Sequence, residues 1–201
     1  MSAETDFLNY ALGAAGYDSI TGIDDGSSSA NWCKVFYPQL RKIALATHFW
    51  NFAEDRAELA LTTPAPIFEY SNAFTLPAEL IRIKVFNGVT PVYIPNDPTY
   101  WMYYPGRWKV EGRRILTNDT SVKIVFVKDI DNPALWDPLF FEMLAKWLGS
   151  LLAMSIGKDN AKSTTLLQQA IGISMPLAAA VDGQSGDIQP YSVPHLIIGR
   201  R

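Results

Sequence analysis

Residues 139–156 read LFFEMLAKWLGSLLAMSI, and only Glu142 and Lys146 carry charge in this stretch. Its apolar side chains are Phe140, Phe141, Met143, Leu144, Trp147, Leu148, Leu151 and Leu152. In a helix these positions cover nearly every side instead of one stripe. Because a helix that is apolar on most sides is buried on most sides, we predict a central core helix that ends at Gly157.

A second long helix is predicted to begin at Ser28 or Ser29 and to reach about His48. One side of it is marked by residues at intervals of three or four: Trp32, Phe36, Leu40, Ala44 and Thr47. Pro38 lies inside this helix and is expected to kink it. We expect the two long helices to pack together, with Leu144, Trp147, Leu148 and Leu151 against Phe36 and Leu40.

Two further helices are predicted at the ends of the helical part. Thr5 can cap a short first helix over residues 6–15, which Gly16 would end. Asp159 or Asn160 can cap a last helix, in which Gly172 and Pro176 predict a kink.

The middle of the chain predicts strands. No long helix can cross it, because prolines recur at Pro64, Pro66, Pro77, Pro91, Pro95, Pro98 and Pro105. Ile81, Ile83 and Val85 alternate with Arg82 and Lys84, as expected of a strand with one buried side. Val122, Ile124 and Phe126 alternate in the same way, and the pair Glu111-Gly112 predicts a hairpin turn.

The predicted fold class is therefore α+β, a mainly helical bundle with a small inserted antiparallel β-module and an extended C-terminal arm. The bundle takes residues 1–57 and 129–183, the β-module residues 58–128, and the C-terminal tail residues 184–201. The β-module carries a proline-rich tract around residues 89–107 that cannot bury all its aromatics locally. We expect a partner contact there through Tyr93, Tyr100, Trp101, Tyr103 and Tyr104.

The composition favours an assembly over a compact monomer with a rich core. Charged residues make up 18% of the chain, below the usual quarter, alongside 6 Trp, 9 Tyr and 10 Phe. Aromatic residues are enriched and charges depleted at the centres of protein interfaces. The net charge of −3 argues against a dedicated DNA-binding protein, although passive contact with DNA in a channel is allowed.

Catalysis is not expected, because the sequence contains few groups that could perform it. Of the two histidines, His48 is interpreted as a helix-end or packing residue, and His195 lies in a tail that is a poor platform for catalysis. Asp24-Asp25 lacks the residue order of a calcium loop. Arg113-Arg114 and Arg200-Arg201 are interpreted as solvated pairs that at most touch an acidic partner or DNA. No metal, cofactor or enzymatic activity is predicted.

Secretion and membrane insertion are not expected either. The N-terminus lacks the basic start and long apolar run of a secretory signal, and no run of 18 apolar residues occurs. The single cysteine, Cys33, excludes an intrachain disulfide and is predicted to be a buried thiol. These features are typical of a protein that is made in a reducing cytoplasm.

Two segments resemble the tail tubular protein A family, the head-to-tail adaptors of short-tailed bacteriophages. The first is ANWCKVFYPQLRKIALATHFWNFAEDRAELAL at residues 30–61, with its aromatic-Trp-Asn-Phe-Ala run followed by Arg-Ala and a strand. The second is WKVEGRRILTNDTSVKIVFVKDIDNPALWDPLFFEMLAKWLGSLLAMSIGKD at residues 108–159, a hairpin, a strand, a Trp-Asp-Pro and a long apolar helix. The resemblance covers most of residues 4–183.

This resemblance implies a structural protein of the virion tail that is assembled in the host cytoplasm. It implies a twelvefold homo-oligomeric ring that binds the portal protein above and the tail nozzle protein below. Phage DNA would pass through the ring without sequence-specific binding, and no membrane is implied. The Tyr-rich tract would contact the nozzle or a neighbouring subunit. The alternative is a monomeric minor tail or attachment protein that binds a ligand through its Tyr-rich β-module, while a hydrolase would need a catalytic pair that the sequence does not supply.

The C-terminal tail is expected to dock onto the portal. Pro190 and Pro194 prevent an amphipathic helix, yet the tail carries an apolar cluster that a solvated segment would not need. In adaptors of the resembling family the C-terminal arm reaches the portal. The candidate portal contacts are Pro190, Tyr191, Pro194, His195, Leu196, Ile197, Ile198, Arg200 and Arg201. The remaining alternative is that the tail folds back on its own subunit.

Overall fold

The structure is a computed structural model that describes residues 2–88 and 108–185. Its helices are α1 (Ala3–Ala15), α2 (Ser28–Thr47), α3 (Pro138–Gly157), α4 (Asn160–Gln168) and α5 (Met175–Gln184). Its strands are β1 (Glu54–Glu58), β2 (Asn72–Thr75), β3 (Leu80–Phe86), β4 (Trp108–Glu111), β5 (Arg114–Thr117) and β6 (Lys123–Lys128). The fold is α+β, as the sequence predicted.

Helix α3 is the centre of the helical bundle. Asp137 caps its first turn, Pro138 occupies the position where a missing N–H costs nothing, and the chain turns at Lys158 with a left-handed backbone. Helices α1, α2 and α4 all pack against α3. Leu144 and Leu148 are completely buried, whereas Trp147 and Leu151 are partly buried in the same cluster. The predicted packing partners on α2, Leu40 and Phe36, belong to this cluster too.

The helix starts differ slightly from the predicted ones. Helix α1 begins at Ala3 because the Ser2 hydroxyl, not Thr5, caps it by accepting a hydrogen bond from the Thr5 N–H at 3.2 Å. Ser27 caps α2 in the same way. Helix α2 then continues through Pro38 without interruption as far as Thr47.

Helices α1 and α3 approach closely at Gly149. A Cβ at this position would lie 3.1 Å from the backbone oxygen of Ala11 and 3.5 Å from a methyl group of Leu166. A contact of 3.1 Å is tighter than most real Cβ contacts, so any larger residue here would require the backbone at Ala11 to shift, and the close α1–α3 approach favours glycine.

Helix α4 joins α5 through a π-helical turn, Gln169–Ser174, and the three form one continuous helix over Asn160–Gln184. This C-terminal helix buries one residue in every four: Leu166, Ala170, Ser174, Ala178 and Asp182. In a regular α-helix a four-residue spacing drifts round the axis by about 40° per step. The wider π turn offsets part of that drift and keeps the buried residues towards α3. The irregularity spans Gly172 and ends just before Pro176, where a kink was expected.

Two three-stranded antiparallel sheets form the β-module, with strand orders β1-β6-β3 and β2-β5-β4. They share a small core of Leu59, Phe74, Leu76, Phe86, Ile115, Val122, Ile124 and Phe126. The predicted hairpin is confirmed, because β4 and β5 pair with Glu111 opposite Arg114 and Gly112 has a positive φ. The first strand starts at Glu54, ahead of the predicted limit at residue 58.

The predicted alternation in β3 is wrong. Two register shifts interrupt its pairing with β6, one between Leu80 and Arg82 and one between Ile83 and Val85. As a result Ile81 packs against the helical core while Ile83 packs against the β core. Residues expected on one side of a strand therefore join the two cores.

A buried ion pair connects α2 to the segment that follows β6. The Arg41 guanidinium donates from Nε and Nη2 to the two carboxylate oxygens of Asp129, at 2.9 and 3.0 Å. The Tyr37 hydroxyl donates to the backbone oxygen of Asp131 at 3.2 Å. Burial lowers the pKa of Arg41, but hydrogen bonds with Asp129 and Tyr37 outweigh it and the net pKa is raised. These contacts hold the β-module against the helical bundle.

Candidate interaction surfaces

His48 is the one histidine among residues 2–88 and 108–185, and it binds a carboxylate. Its Nε2 lies 3.2 Å from Oδ2 of Asp182, whose other oxygen accepts the Asn51 N–H at 2.9 Å. The Asn51 side chain donates in turn to the backbone oxygen of Asp182 at 2.6 Å. Asp182 is buried, so its oxygens are committed to these donors. The arrangement anchors the end of the C-terminal helix to the segment after α2.

Other polar residues singled out in the sequence have structural partners. Asp24 pairs with Lys34 at 2.6 Å, and Asp25 accepts the backbone N–H groups of Ser27 and Thr21. Hydrogen bonds from Ser27 lower the pKa of Asp25. Arg113 donates to the backbone oxygens of Pro77 and Ala78. Within the described ranges, no three His, Cys, Asp or Glu side chains are placed to hold a metal ion.

Cys33 is buried, as predicted. Burial, with a smaller contribution from the charge of Asp25, raises the pKa of its thiol to about 11. Because the thiolate is the reactive form, this cysteine is inert near neutral pH.

The C-terminal helix carries the first exposed apolar surface. We call it the C-terminal helix face, and it consists of Ile173, Leu177 and Val181, which recur at every fourth residue on one flank of the buried stripe. Leu167 and Ile171 are exposed on the opposite flank. Ile173 is 65% exposed and Leu177 is 52% exposed. No charged residue occurs between Lys162 and Asp182, so burying this stretch requires the desolvation of no charge of its own. Sequence reasoning missed this surface, although the absence of charge from residues 163–181 could have indicated it.

Helix α2 carries the second exposed apolar surface, which we call the α2 face. Its members are Trp32, Val35 and Ile43, and their spacing places them on one side of the helix. Trp32 stacks on Phe36 with the ring centres 5.4 Å apart. The α2 face and the C-terminal helix face therefore lie on different helices, and both of these helices pack against α3.

The β-module exposes a third apolar site in the loop before β2. Ile67 is 98% exposed and Phe68 is 78% exposed, so neither contributes to the β core. They border a groove of about 360 Å³ that Lys109, Arg114 and Leu116 also line. The sequence analysis did not single out these residues.

The residues predicted to contact partners fall in two parts of the chain outside the described residues. The Tyr-rich set of Tyr93, Tyr100, Trp101, Tyr103 and Tyr104 lies within residues 89–107. The portal candidates, from Pro190 to Arg201, lie within residues 186–201.

Within residues 2–88 and 108–185, two helices are long and apolar enough to cross a membrane by length and composition alone: Pro138–Gly157 and Asn160–Gln184. The first is α3, the core helix of the bundle, and core helices of soluble proteins meet the same criteria. The second carries the C-terminal helix face.

No protein-family model matches this chain, and no curated protein matches it.

Proposed function

We propose that this chain is a structural ring subunit, the head-to-tail adaptor between the portal and the tail nozzle of a short-tailed bacteriophage. The observation that carries the proposal is the pair of apolar surfaces on different helices, the C-terminal helix face and the α2 face. A closed ring needs two different faces on each subunit, because each copy binds its neighbours head to tail.

The chemistry of the two faces supports this proposal. The C-terminal helix face is free of charge over residues 163–181, and the α2 face presents Trp32, Val35 and Ile43. Interface centres are depleted of charge and enriched in large apolar and aromatic side chains. Pairing the C-terminal helix face of one copy with the α2 face of the next would bury both.

The absence of an assembled catalytic group among the described residues is compatible with a structural role. His48 and Asp182 are adjacent, but Asp182 also holds both nitrogens of Asn51 through its side chain and backbone. A catalytic base must lie within hydrogen-bonding distance of the group from which it takes a proton. The contact between His48 and Asp182 instead connects the end of the C-terminal helix to the segment after α2.

The axial partners of the ring are proposed on the basis of the resemblance. Residues 190–201 would bind the portal, and the tract around residues 89–107 would bind the nozzle or a neighbouring subunit. The ring would contain about twelve copies and surround the DNA channel in the virion tail. Ile67 and Phe68, exposed on the β-module, would add to a contact below the ring.

Electron microscopy of the purified protein, alone and mixed with its portal, tests the proposal. We expect closed rings in the mixture. A protein that stays monomeric with portal, and forms no ring at any concentration, would refute it.

Two variants test the axial contacts. Deleting residues 190–201 should abolish binding to the portal and leave the melting temperature unchanged, whereas undiminished binding would refute portal docking. Charge substitutions at Tyr100 and Trp101 should block tail addition without unfolding the subunit. Complete tails with such a variant would mean that the tract packs only locally.

A monomeric attachment protein is the second candidate. The observation in its favour is the groove beside Ile67 and Phe68, which a ligand could enter. Light scattering separates the two candidates, since an attachment protein remains a monomer in the presence of portal.

A further inference from the structure

Strand β4 is the edge of the β-module best suited to binding another strand. In the described part of the chain, the sheet edges are β1 and β3 in one sheet and β2 and β4 in the other. The backbone N–H and C=O groups of an edge strand can pair with a further strand, so each edge is a possible docking site.

Two of the other edges are poorly suited to a regular partner strand. Residues 60–62 cover β2, and the Thr62 N–H donates to the Ala73 oxygen at 2.7 Å. Two register shifts interrupt β3, and bulges of this kind disturb the even spacing of backbone groups that a partner strand needs.

The third edge, β1, differs from β4 in its charges. On β1, Glu54 and Asp55 form ion pairs with lysines of β3 and β6 in the same chain. On β4, Lys109 and Glu111 are exposed, and among the described residues they form no ion pair. The charges of β4 are therefore available to a partner from outside the chain.

The side chains of β4 divide between the two sides of its sheet. Val110 lies opposite Ile115 of the β core, yet Val110 is 44% exposed. Lys109 and Glu111 point to the other side and line the groove of the β-module. A strand that docks at β4 must therefore offer an apolar residue on one side and complementary charges on the other.

Three registers are centred on the exposed residues of β4, and a second copy of the strand fits one of them. A two-fold axis perpendicular to the sheet keeps equivalent sides of both copies together. An axis at Lys109 or at Glu111 sets like charges directly opposite each other, which destabilises paired strands. An axis at Val110 instead places Lys109 of each copy opposite Glu111 of the other, and the two Val110 side chains opposite each other.

We propose that two copies of the free protein pair through β4, antiparallel about a two-fold axis at Val110, and join their sheets into one six-stranded sheet. In each row across the seam, Glu111 then lies between Arg114 of its own chain and Lys109 of the other copy. Each carboxylate is thus placed between two cations, and both exposed edges are covered.

This pair is expected to be weak and separate from the ring. Strand β4 has four residues, which bury far less than the about 1,200 Å² of a stable interface. The dimer should therefore need roughly micromolar concentrations or more. Copies related by a two-fold axis are not neighbours in a cyclic ring, whose contacts run head to tail. A role in covering the edge before ring assembly rests on the proposed function, whereas the pairing itself does not.

Charge reversal tests the pairing by sedimentation equilibrium of the full-length protein without portal. Lys109→Glu sets glutamates opposite each other in the dimer, and Glu111→Lys sets lysines opposite each other. Each variant alone should weaken dimerisation at least about fivefold. An equimolar mixture of the two variants brings both opposite-charge pairs back and should dimerise again.

Three results would overturn the proposal. They are unchanged dimerisation of either single variant, failure of the mixture to recover, and an unchanged protein that stays monomeric at every concentration. The last result would leave the β4 edge to a strand from a different protein. Both positions are exposed, so equal melting temperatures of the variants are expected and provide the control for folding.

Cysteine cross-linking tests the register. Directly opposite residues of antiparallel strands have Cα atoms about 4.5–5.5 Å apart, a distance that a disulfide can bridge. Val110→Cys should therefore yield covalent dimers upon oxidation. The matched control is Leu61→Cys, which is 59% exposed and lies beside β2 at the other edge of the same sheet. It should cross-link at least about tenfold more slowly, and equal rates would contradict the pairing. Cys33 will not interfere, because it is buried.

These experiments are independent of the proposed ring. They use the free protein, whereas ring formation is measured with portal. Lys109→Glu alters β4 alone, and Ile173→Ser alters the C-terminal helix face alone. Loss of the dimer in the first variant and loss of rings in the second therefore report on two different contacts.

Discussion

Helix α3 and the C-terminal helix have similar composition and different surroundings. Both are long and apolar enough to cross a membrane, yet 50% of the apolar window of α3 is buried against 22% for the C-terminal helix. Helix α3 contacts α1, α2 and the C-terminal helix on different sides. The C-terminal helix, in contrast, makes most of its contacts with α3 alone. Apolar composition alone therefore does not decide whether a helix belongs to the core.

The size of the buried side chains separates the two helices. Helix α3 buries Phe140, Leu144 and Leu148, while the C-terminal helix buries Ala170, Ser174 and Ala178 and leaves Ile173 and Leu177 outside. Small residues allow close packing and contribute little burial energy, so the large side chains of this helix remain available for another contact.

The largest expected effect is at Leu148 in α3. Leu148→Ala removes a completely buried side chain and should lower the free energy of unfolding by about 2–5 kcal/mol. The control is Leu177→Ala in the C-terminal helix, where the change should stay within about 0.5 kcal/mol. Urea denaturation of both variants measures the difference. A loss below about 1 kcal/mol for Leu148→Ala would mean that α3 is not central.

A pair of glycines gives the next effect. Gly149→Leu forces a side chain against Ala11 and should destabilise the protein by about 1–3 kcal/mol. Gly172→Ala has no atom within 4 Å of the new Cβ and should stabilise the C-terminal helix by up to about 1 kcal/mol. The melting temperature should therefore fall for Gly149→Leu and rise for Gly172→Ala. A change of the same sign in both variants would show that the two helices are packed alike.

Asp182 is expected to hold the end of the C-terminal helix. Asp182→Ala leaves the Asn51 N–H without its acceptor and should cost about 1–3 kcal/mol. Asp182→Asn keeps an acceptor for Asn51 and should cost less. Equal melting temperatures for the alanine variant and the unchanged protein would exclude an anchoring role.

The smallest effect on stability, with the largest expected effect on assembly, is at Ile173. Ile173→Ser changes an exposed side chain and should alter the free energy of unfolding by no more than about 0.5 kcal/mol. It should nevertheless weaken ring formation on the portal, which sedimentation or microscopy can follow. If the Ile173→Ser variant forms normal rings, the C-terminal helix face is not part of the subunit interface.

The sequence predicted the helices well because local signals defined them. Asp159 caps α4 and Gly16 ends α1, and both signals depend on residues next to each other in the chain. The hairpin at Glu111-Gly112 was predictable for the same reason. The sides of β3 were not, since its bulges depend on pairing with β6, which comes about 40 residues later.

The candidate interaction surfaces were harder to predict from the sequence than the fold was. Ile67, Phe68 and Ile173 are ordinary apolar residues in the sequence, and only the packing of their neighbours leaves them exposed. The π turn at Gln169–Ser174 determines which side of the C-terminal helix faces α3, and no single residue indicates it. Exposure is a property of the whole fold, whereas helix caps are local.

Intersubunit cross-linking tests the central claim most directly, that the C-terminal helix face of one subunit binds the α2 face of the next. The variant Val35→Cys with Ile173→Cys, assembled on the portal and oxidised, should yield a ladder of covalent oligomers that extends to the closed ring. Either single variant should yield none. Dimers from Ile173→Cys alone would show that the face binds its own equivalent, and that result, or the absence of a ladder in assembled rings, would contradict the account.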